Sequence, residues 1–408
     1  MLPAEHTTVE KSPLLSKEAA ARGFALFAVA GAGALAIGGI LGWLQNDDLR
    51  RFLHAYLTSY CYYLSIALGA LFFVLLQHAT RAGWSVTVRR LAELLAAALP
   101  MLAVLILPLL VPLVMGNTSL YPWSDADRVA HDELLQHKHV YLNVWFFSAR
   151  CLGYVVIWSL LARYFLLRSV QQDLDGDLSM TRRMERASPV SLLVYAATVT
   201  LAAFDLLMSL EPDWFSTIYG LYYFAGAVVA GLAAMILMAM LVQAGGRLRA
   251  SITVEHYHDL GKLLFAFVVF WGYMAFSQYL LIWYANTPEE KVYYNLRTGG
   301  PWGGVSLLLL FANLLIPFFG LLPRGVKRCK ASLGFWALWL LVVHAIDIFW
   351  LVMPNLDGNH LPVGLVEMCC FAGLGCLFVA AVLQVAAHCA LAPLRDPRLA
   401  ESLAFENS

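Results

Sequence analysis

Ionisable side chains recur inside apolar stretches of this sequence, where an unpaired charge is costly. Asp205 and Asp347 each lie seven residues before a proline, Pro212 and Pro354. At ~1.5 Å of rise per residue, each carboxyl is expected roughly 10 Å inside the end of its helix. His344 precedes Asp347 by about one helical turn and could hydrogen-bond with it. Buried carboxyl and imidazole groups can bind and release protons, so these three residues are candidates for a proton path.

Two further charged residues lie near the same ends of predicted helices. Arg150 is expected roughly 13 Å inside the fourth apolar stretch, and Glu367 begins the last one. Both are also candidates for the path. The alternative is structural, because a buried ion pair of Arg150 with Asp205 or Asp347 would fix the register of two helices. The sequence leaves both interpretations open.

A polar face runs along the apolar stretch between residues 256 and 290. At 100° per residue, Lys262, Tyr273, Ser277 and Tyr284 fall on one side of a helix. Such groups could conduct protons or contact a polar ligand, or they could satisfy each other and neighbouring helices. The candidates for the proton path here are His258, Asp259, Lys262, Tyr273, Ser277 and Gln278.

The cysteines and loop histidines do not predict a metal site. The seven cysteines lie mostly in apolar stretches, and none has the C-x-x-C-H or repeated C-x-x-C spacing of covalent haem, zinc or iron–sulfur sites. His131, His137 and His139 share a loop with acidic residues, a pattern more typical of a solvated segment. We therefore expect no metal and no covalently bound cofactor in the chain.

The composition is that of a protein with many membrane helices. Hydrophobic residues make up 61% and charged residues only 13%, against about 25% charged in soluble proteins. Net charge is zero, so no nucleic-acid partner is indicated. Ten spans are predicted, at residues 24–44, 56–77, 93–115, 141–167, 189–210, 218–242, 260–285, 302–322, 332–353 and 363–391.

An even number of spans predicts that both chain ends lie on one side of the membrane. Most Lys and Arg residues fall in the loops of that same side, which predicts that it is cytoplasmic. Residues 1–22 and 393–408 are then cytoplasmic tails around a membrane domain of residues 23–392.

Two local features concern packing. Gly38 and Gly42, and likewise Gly226 with Gly231, predict close helix contacts, and prolines at 108 and 112 predict a kink in the third helix. The shared spacing of Asp205 and Asp347 from their prolines, four spans apart, also favours duplication of a four-helix unit.

Three stretches carry a family resemblance. They are Ser209–Ala227 (SLEPDWFSTIYGLYYFAGA), Tyr257–Glu290 and Lys138–Arg150 (KHVYLNVWFFSAR). Together they resemble the ActF-type subunit of bacterial alternative complex III, a quinol:cytochrome c oxidoreductase. That subunit belongs to the NrfD-like superfamily of polysulfide-reductase membrane anchors, and its ActC-type sister is the nearest rival.

The resemblance implies a fold and a set of partners. The fold is all-α, with two four-helix bundles, helices 2–5 (about 56–210) and 6–9 (about 218–353), and two peripheral helices. The partners are an ActC-type sister, an iron–sulfur subunit, haem c subunits, membrane lipid and, as a further candidate, a terminal oxidase. The redox centres lie in those partners, in the bacterial inner membrane. The expected role is proton translocation coupled to oxidation of menaquinol or ubiquinol.

Other functions remain open at this point. The chain could bind the quinol itself, with Trp214, Phe215, Tyr222 and Tyr223 walling a ring pocket and Asp205 or Glu367 accepting the proton. It could also be a scaffold within the complex or a free-standing transporter.

Overall fold

A computed structural model describes residues 17–407, in which all regular structure is helical. Ten helices in this range are long and apolar enough to span a membrane, which confirms the predicted class. They are α1 (Glu18–Trp43), α2 (Arg50–Ala79), α3 (Val86–Val114), α4 (Val144–Asp175), α5 (Leu178–Leu210), α6 (Tyr219–Ala244), α7 (Val254–Ala285), α8 (Gly300–Leu321), α9 (Lys330–Asn355) and α10 (Leu365–Ala386).

Helices α2 and α6 lie at the centre of the molecule and cross in direct backbone contact. A Cβ atom on Gly69 of α2 would lie only 1.9 Å from the carbonyl oxygen of Ala227 in α6. On the other side of the crossing, Gly231 faces the backbone of Gly69 at 2.6 Å by the same measure. The predicted small-residue contact on α6 is confirmed, and its partner is α2.

The other helices are arranged around this pair. Helix α2 contacts α3 and α5, and α4 contacts both α3 and α5. In the same way α6 contacts α7 and α9, and α8 contacts both α7 and α9. Helix α1 packs mainly on α10, which in turn packs on α2.

Helix α3 is interrupted twice, because prolines break its hydrogen-bond ladder. Its regular pieces are Val86–Ala96, Leu99–Val104 and Leu107–Val114. Two tyrosines of α2 satisfy carbonyl groups at the breaks: Tyr56 donates to the Leu105 oxygen at 2.7 Å and Tyr60 to the Leu102 oxygen at 3.1 Å. The predicted break at Pro108 is confirmed, and a second occurs before Pro100.

Several helices begin or end outside the predicted spans. Helix α3 starts seven residues earlier and α5 eleven residues earlier than predicted, and α4 continues to Asp175. These extensions contain charged residues, which a hydropathy argument assigns to loops. Short helices also occupy the connections Ala126–His131, Glu133–Lys138, Pro288–Thr298 and Arg324–Arg328.

The C-terminal segment, residues 387–407, folds back onto the helices. We call the end of the molecule that it covers the terminal end, and the opposite end the distal end. Ser402 is fully buried, and its hydroxyl donates to the Trp84 carbonyl at 2.6 Å. Phe405 packs against the rings of Trp84 and His256. The residues expected to form a tail are therefore part of the packed structure up to Asn407.

Candidate functional site

The Asp347 cluster consists of Asp347, His344, Tyr222 and Ser65, and it lies inside the helix assembly toward the distal end. The Tyr222 hydroxyl donates a short hydrogen bond to Asp347 Oδ1. His344 Nδ1 lies 3.7 Å from Asp347 Oδ2, and His344 Nε2 lies 2.8 Å from Ser65 Oγ. Ser65 in turn donates to the Tyr62 carbonyl at 2.6 Å. Four polar side chains thus form one contact series from α6 through α9 to α2.

The local sequence explains how these side chains meet. His344 and Asp347 are one turn apart on α9 and are both about 1% exposed. A Cβ atom on Gly226 would lie 2.9 Å from His344 Cε1, so this glycine of α6 leaves room for the imidazole ring. The indole of Trp271 on α7 packs 5.4 Å from the Tyr222 ring. Both Trp271 Nε1 and His344 Nδ1 are buried and find no hydrogen-bond partner among the described residues.

Asp205 has a different environment, although it is equally buried. Arg150 holds both of its oxygens, with Nε to Oδ2 at 2.9 Å and Nη2 to Oδ1 at 2.8 Å. Tyr154 donates to Oδ2 at 2.8 Å. The guanidinium also stacks on the rings of Tyr141 and Phe146, 3.7 and 4.3 Å from their centroids. Of the two alternatives for Arg150, the geometry matches the ion pair that joins α4 to α5.

Asp347 has no such cation. Among residues 17–407, no Arg or Lys forms an ion pair with it, and its only possible charged partner is His344. Glu367, by contrast, pairs with Arg51 through two hydrogen bonds of 2.7 and 3.0 Å. Of the three distal acids predicted for the path, only Asp347 therefore lacks a permanent counter-charge.

A buried ion pair that the sequence did not predict lies near the distal end. Arg297, in the short helix Pro288–Thr298, donates to Glu211 Oε1 at 2.6 Å and to the Leu351 carbonyl at 3.0 Å. Burial is the largest influence on Arg297 and opposes its charge, but the Glu211 carboxylate and the neighbouring phenols of Tyr293 and Tyr219 together raise the pKa of the guanidinium. Burial also raises the pKa of Tyr293, whose ring stacks under Arg297 at 3.6 Å. Arg297 lies in an amphipathic helix, and a prediction based only on apolar spans does not detect such a helix.

A pocket of about 320 Å³ opens at the distal end beside this pair. Its lining includes Arg50, His54, Glu211, Trp214 and Asn355. Within residues 17–407, Nε1 of the buried Trp214 indole has no hydrogen-bond partner.

The four residues predicted to wall a quinol pocket do not come together. Trp214 lines the distal pocket, whereas Phe215 is 64% exposed. Tyr223 is buried and donates to the Cys61 carbonyl at 3.0 Å. Tyr222 belongs to the Asp347 cluster.

The polar residues of α7 share a face as predicted, but that face points away from the other helices. Tyr273 is 63% exposed and Tyr284 83% exposed, with Ser277 partly buried between them. Gln278 lies off this face and points inward, where its amide donates to the Tyr294 hydroxyl at 3.4 Å. The stripe therefore does not line an interior path through this chain.

At the terminal end, α7 contacts the C-terminal segment. Lys262 Nζ pairs with Asp259 and donates to Asn407 Oδ1 at 3.2 Å, while Asn407 donates to Asp259 Oδ1 at 3.0 Å. His258 is buried beside them, and no residue in the described part of the chain hydrogen-bonds its Nδ1. Three of the predicted path residues thus meet here, together with a residue from the end of the chain.

A second unpredicted group, the terminal charge network, joins α3, α4 and the C-terminal segment. Arg89 donates to Asp396 at 2.5 Å, and Arg90 donates to Asp173 at 2.7 Å. Glu93 lies 2.9 Å from Arg90 and 3.7 Å from Arg89. The predicted span 93–115 leaves both arginines in a loop, but they are buried inside the extended α3.

The Asp347 cluster and the terminal charge network are separated along α2. Between Ser65 and Gln77 this helix carries only apolar side chains and glycine, over roughly 16 Å. Tyr195 reaches this stretch from α5 and donates to the Leu68 carbonyl at 2.9 Å. A continuous proton path along α2 would therefore need bridging water molecules.

Comparisons with known proteins add no relative. No family model matches the chain, and no characterised protein sequence matches it.

Proposed function

We propose that the chain is an integral membrane subunit of a bacterial quinol:cytochrome c oxidoreductase of the alternative complex III type. In this proposal it provides part of a proton path coupled to quinol oxidation, while haem c and iron–sulfur centres in partner subunits carry the electrons. The three resemblance stretches support the choice of complex. The Asp347 cluster is the observation that supports proton transfer.

The proposal includes an architecture and an orientation. Helices α2–α5 and α6–α9 form two four-helix bundles, with α1 and α10 peripheral, and the helix contacts described above support this grouping. The terminal end faces the cytoplasm, as the distribution of Lys and Arg favours. The distal end then faces the periplasm, and an ActC-type sister, an iron–sulfur subunit and haem c subunits are the partners.

The Asp347 cluster is composed of groups that can exchange protons. A carboxyl, a phenol, an imidazole and a hydroxyl each can accept and donate a proton, and here each lies against the next. None of the described residues places a guanidinium or ammonium group beside Asp347 that would keep its carboxyl ionised. A proton can therefore be exchanged between Asp347 and His344 without breaking an ion pair to a permanent cation.

The test compares the two buried aspartates within the intact complex. Asp347→Asn keeps the shape of the side chain but removes its proton exchange, so we expect fewer protons moved per electron. Asp205→Asn is the matched control, because Arg150 already holds that carboxyl, and the ratio should stay unchanged per assembled complex. Proton uptake and release in vesicles during quinol oxidation measure both. An unchanged ratio for Asp347→Asn in a fully assembled complex would refute the proton role.

A second candidate function is quinol binding in the distal pocket. Its volume of about 320 Å³ and the unpaired Trp214 Nε1 favour a ring-shaped ligand with a hydrogen-bond acceptor. An experimental map of the complex with quinone bound would decide: a head group against Trp214 supports this candidate, and lipid alone contradicts it. A subunit that fails both tests would be a scaffold.

A further inference from the structure

Tyr273 occupies an unusual place for a tyrosine on a membrane helix. The apolar part of α7 lies between two polar residues, Lys262 and Asn286, the C-cap residue. They are about 36 Å apart along the helix, whereas the hydrocarbon core of a bilayer is about 30 Å thick. Tyr273 lies about 17 Å from Lys262 and about 20 Å from Asn286. Its hydroxyl is therefore close to the middle of the bilayer, whereas tyrosines facing lipid concentrate at the two interfaces.

At that depth the Tyr273 hydroxyl has no partner among residues 17–407. The side chain is 63% exposed and makes no hydrogen bond within residues 17–407. Neither water nor lipid head groups reach the middle of the hydrocarbon, so a hydroxyl left there keeps an unmet hydrogen-bonding requirement. Phe276 and Leu280 flank it on the same face, 56% and 40% exposed.

Helix α1 shows what an exposed lipid face looks like in this molecule. Away from the ends of this helix the exposed large side chains are aliphatic, with Leu26, Val29 and Ile40 between 58% and 73% exposed, and the exposed aromatic Trp43 is its last residue. The exposed face of α7 differs in carrying an aromatic hydroxyl at mid-depth and a second hydroxyl, Ser277, one turn further on. Within the hydrocarbon, these two hydroxyls can form hydrogen bonds only with a polar group of another membrane-embedded molecule.

We propose that the outward face of α7 around Tyr273 is covered by a membrane-spanning helix of another polypeptide. That helix carries a hydrogen-bonding side chain, such as Ser, Thr, Asn or Gln, opposite Tyr273. The inference rests on the proposed function only in requiring that the chain has a membrane partner. It does not depend on whether protons or quinol are handled.

Site-specific photo-crosslinking in the producing cell's own membranes tests this. The photoreactive residue p-benzoylphenylalanine is placed at position 273 and, as the control, at position 29 on the exposed face of α1. We expect position 273 to yield an adduct whose peptide maps to an apolar, membrane-spanning segment of another polypeptide, and position 29 to yield none. Adducts with lipid alone at both positions, or with a second copy of this chain at 273, would overturn the proposal.

A second measurement examines the hydroxyl by itself. Tyr273→Phe keeps the ring and removes the hydrogen bond, so the crosslinked partner should bind about three- to tenfold more weakly in detergent. Tyr284→Phe is the matched control, because Tyr284 lies near the bilayer surface where water can pair with it, and should leave binding unchanged. Equal binding by both variants would contradict a polar contact at Tyr273. Because neither readout involves turnover, the inference can fail while the proposed function stands, and the reverse also holds.

Discussion

At the scale of single residues, the two aspartates that share a spacing from a proline lie in different environments. Asp205 is surrounded by three donors, two from Arg150 and one from Tyr154. Asp347 accepts from Tyr222 and lies beside an imidazole whose Nδ1 is unpaired. Both residues have the same spacing from a proline. Only the side chains of other helices distinguish the ion-paired carboxyl of Asp205 from that of Asp347, beside which the described residues place no Arg or Lys.

The ion pair of Arg150 with Asp205 can be tested with a single variant and a double variant. Arg150→Met leaves a buried carboxylate without its cation and should cost about 3 to 5 kcal/mol of stability. Adding Asp205→Leu removes the stranded charge, so the double variant should recover most of that loss. Thermal unfolding of the purified protein in detergent measures both variants. A double variant as unstable as the single one would mean that Arg150 acts through its stacking on Tyr141 instead.

At the scale of helices, the close crossing of α2 and α6 depends on residue 69 being a glycine. Gly69→Ala would place a methyl group 1.9 Å from the Ala227 oxygen, so the two central helices must separate. We expect a loss of about 1 to 3 kcal/mol, seen as a lower melting temperature. Gly33→Ala on α1 is the control, because a Cβ there meets no atom within 4 Å. Equal melting temperatures would show that the crossing tolerates the wider spacing.

Apolar runs predicted the number and class of these helices well, because the bilayer demands long apolar segments. They did not predict where α3 begins, since Arg89 and Arg90 read as loop residues until their partners on α4 and the C-terminal segment are known. Helical periodicity likewise placed Tyr273 and Tyr284 on one face. It could not tell whether that face looks into the protein or out of it, because direction is set by the neighbouring helices.

At the scale of the whole molecule, the C-terminal segment closes the terminal end. Deleting residues 393–408 would remove Asp396 from Arg89 and Ser402 from its site under Trp84. We expect lower yield and a lower melting temperature, because Arg89 would stay buried without one of its two acidic partners. The single change Asp396→Asn should reproduce part of the loss. Glu406→Ala, at an exposed position, should have no effect, and a deletion variant as stable as the full chain would contradict this role.

The pairing of Arg89 with Asp396 joins residues 307 positions apart. A ribosome working at about 5 to 20 amino acids per second needs roughly 15 to 60 s to make the chain between them. Throughout that time the growing polypeptide already holds its third helix while the aspartate that completes the ion pair does not yet exist. Until Asp396 is made, Glu93, one turn further along the same helix, is the acidic neighbour that Arg89 already has.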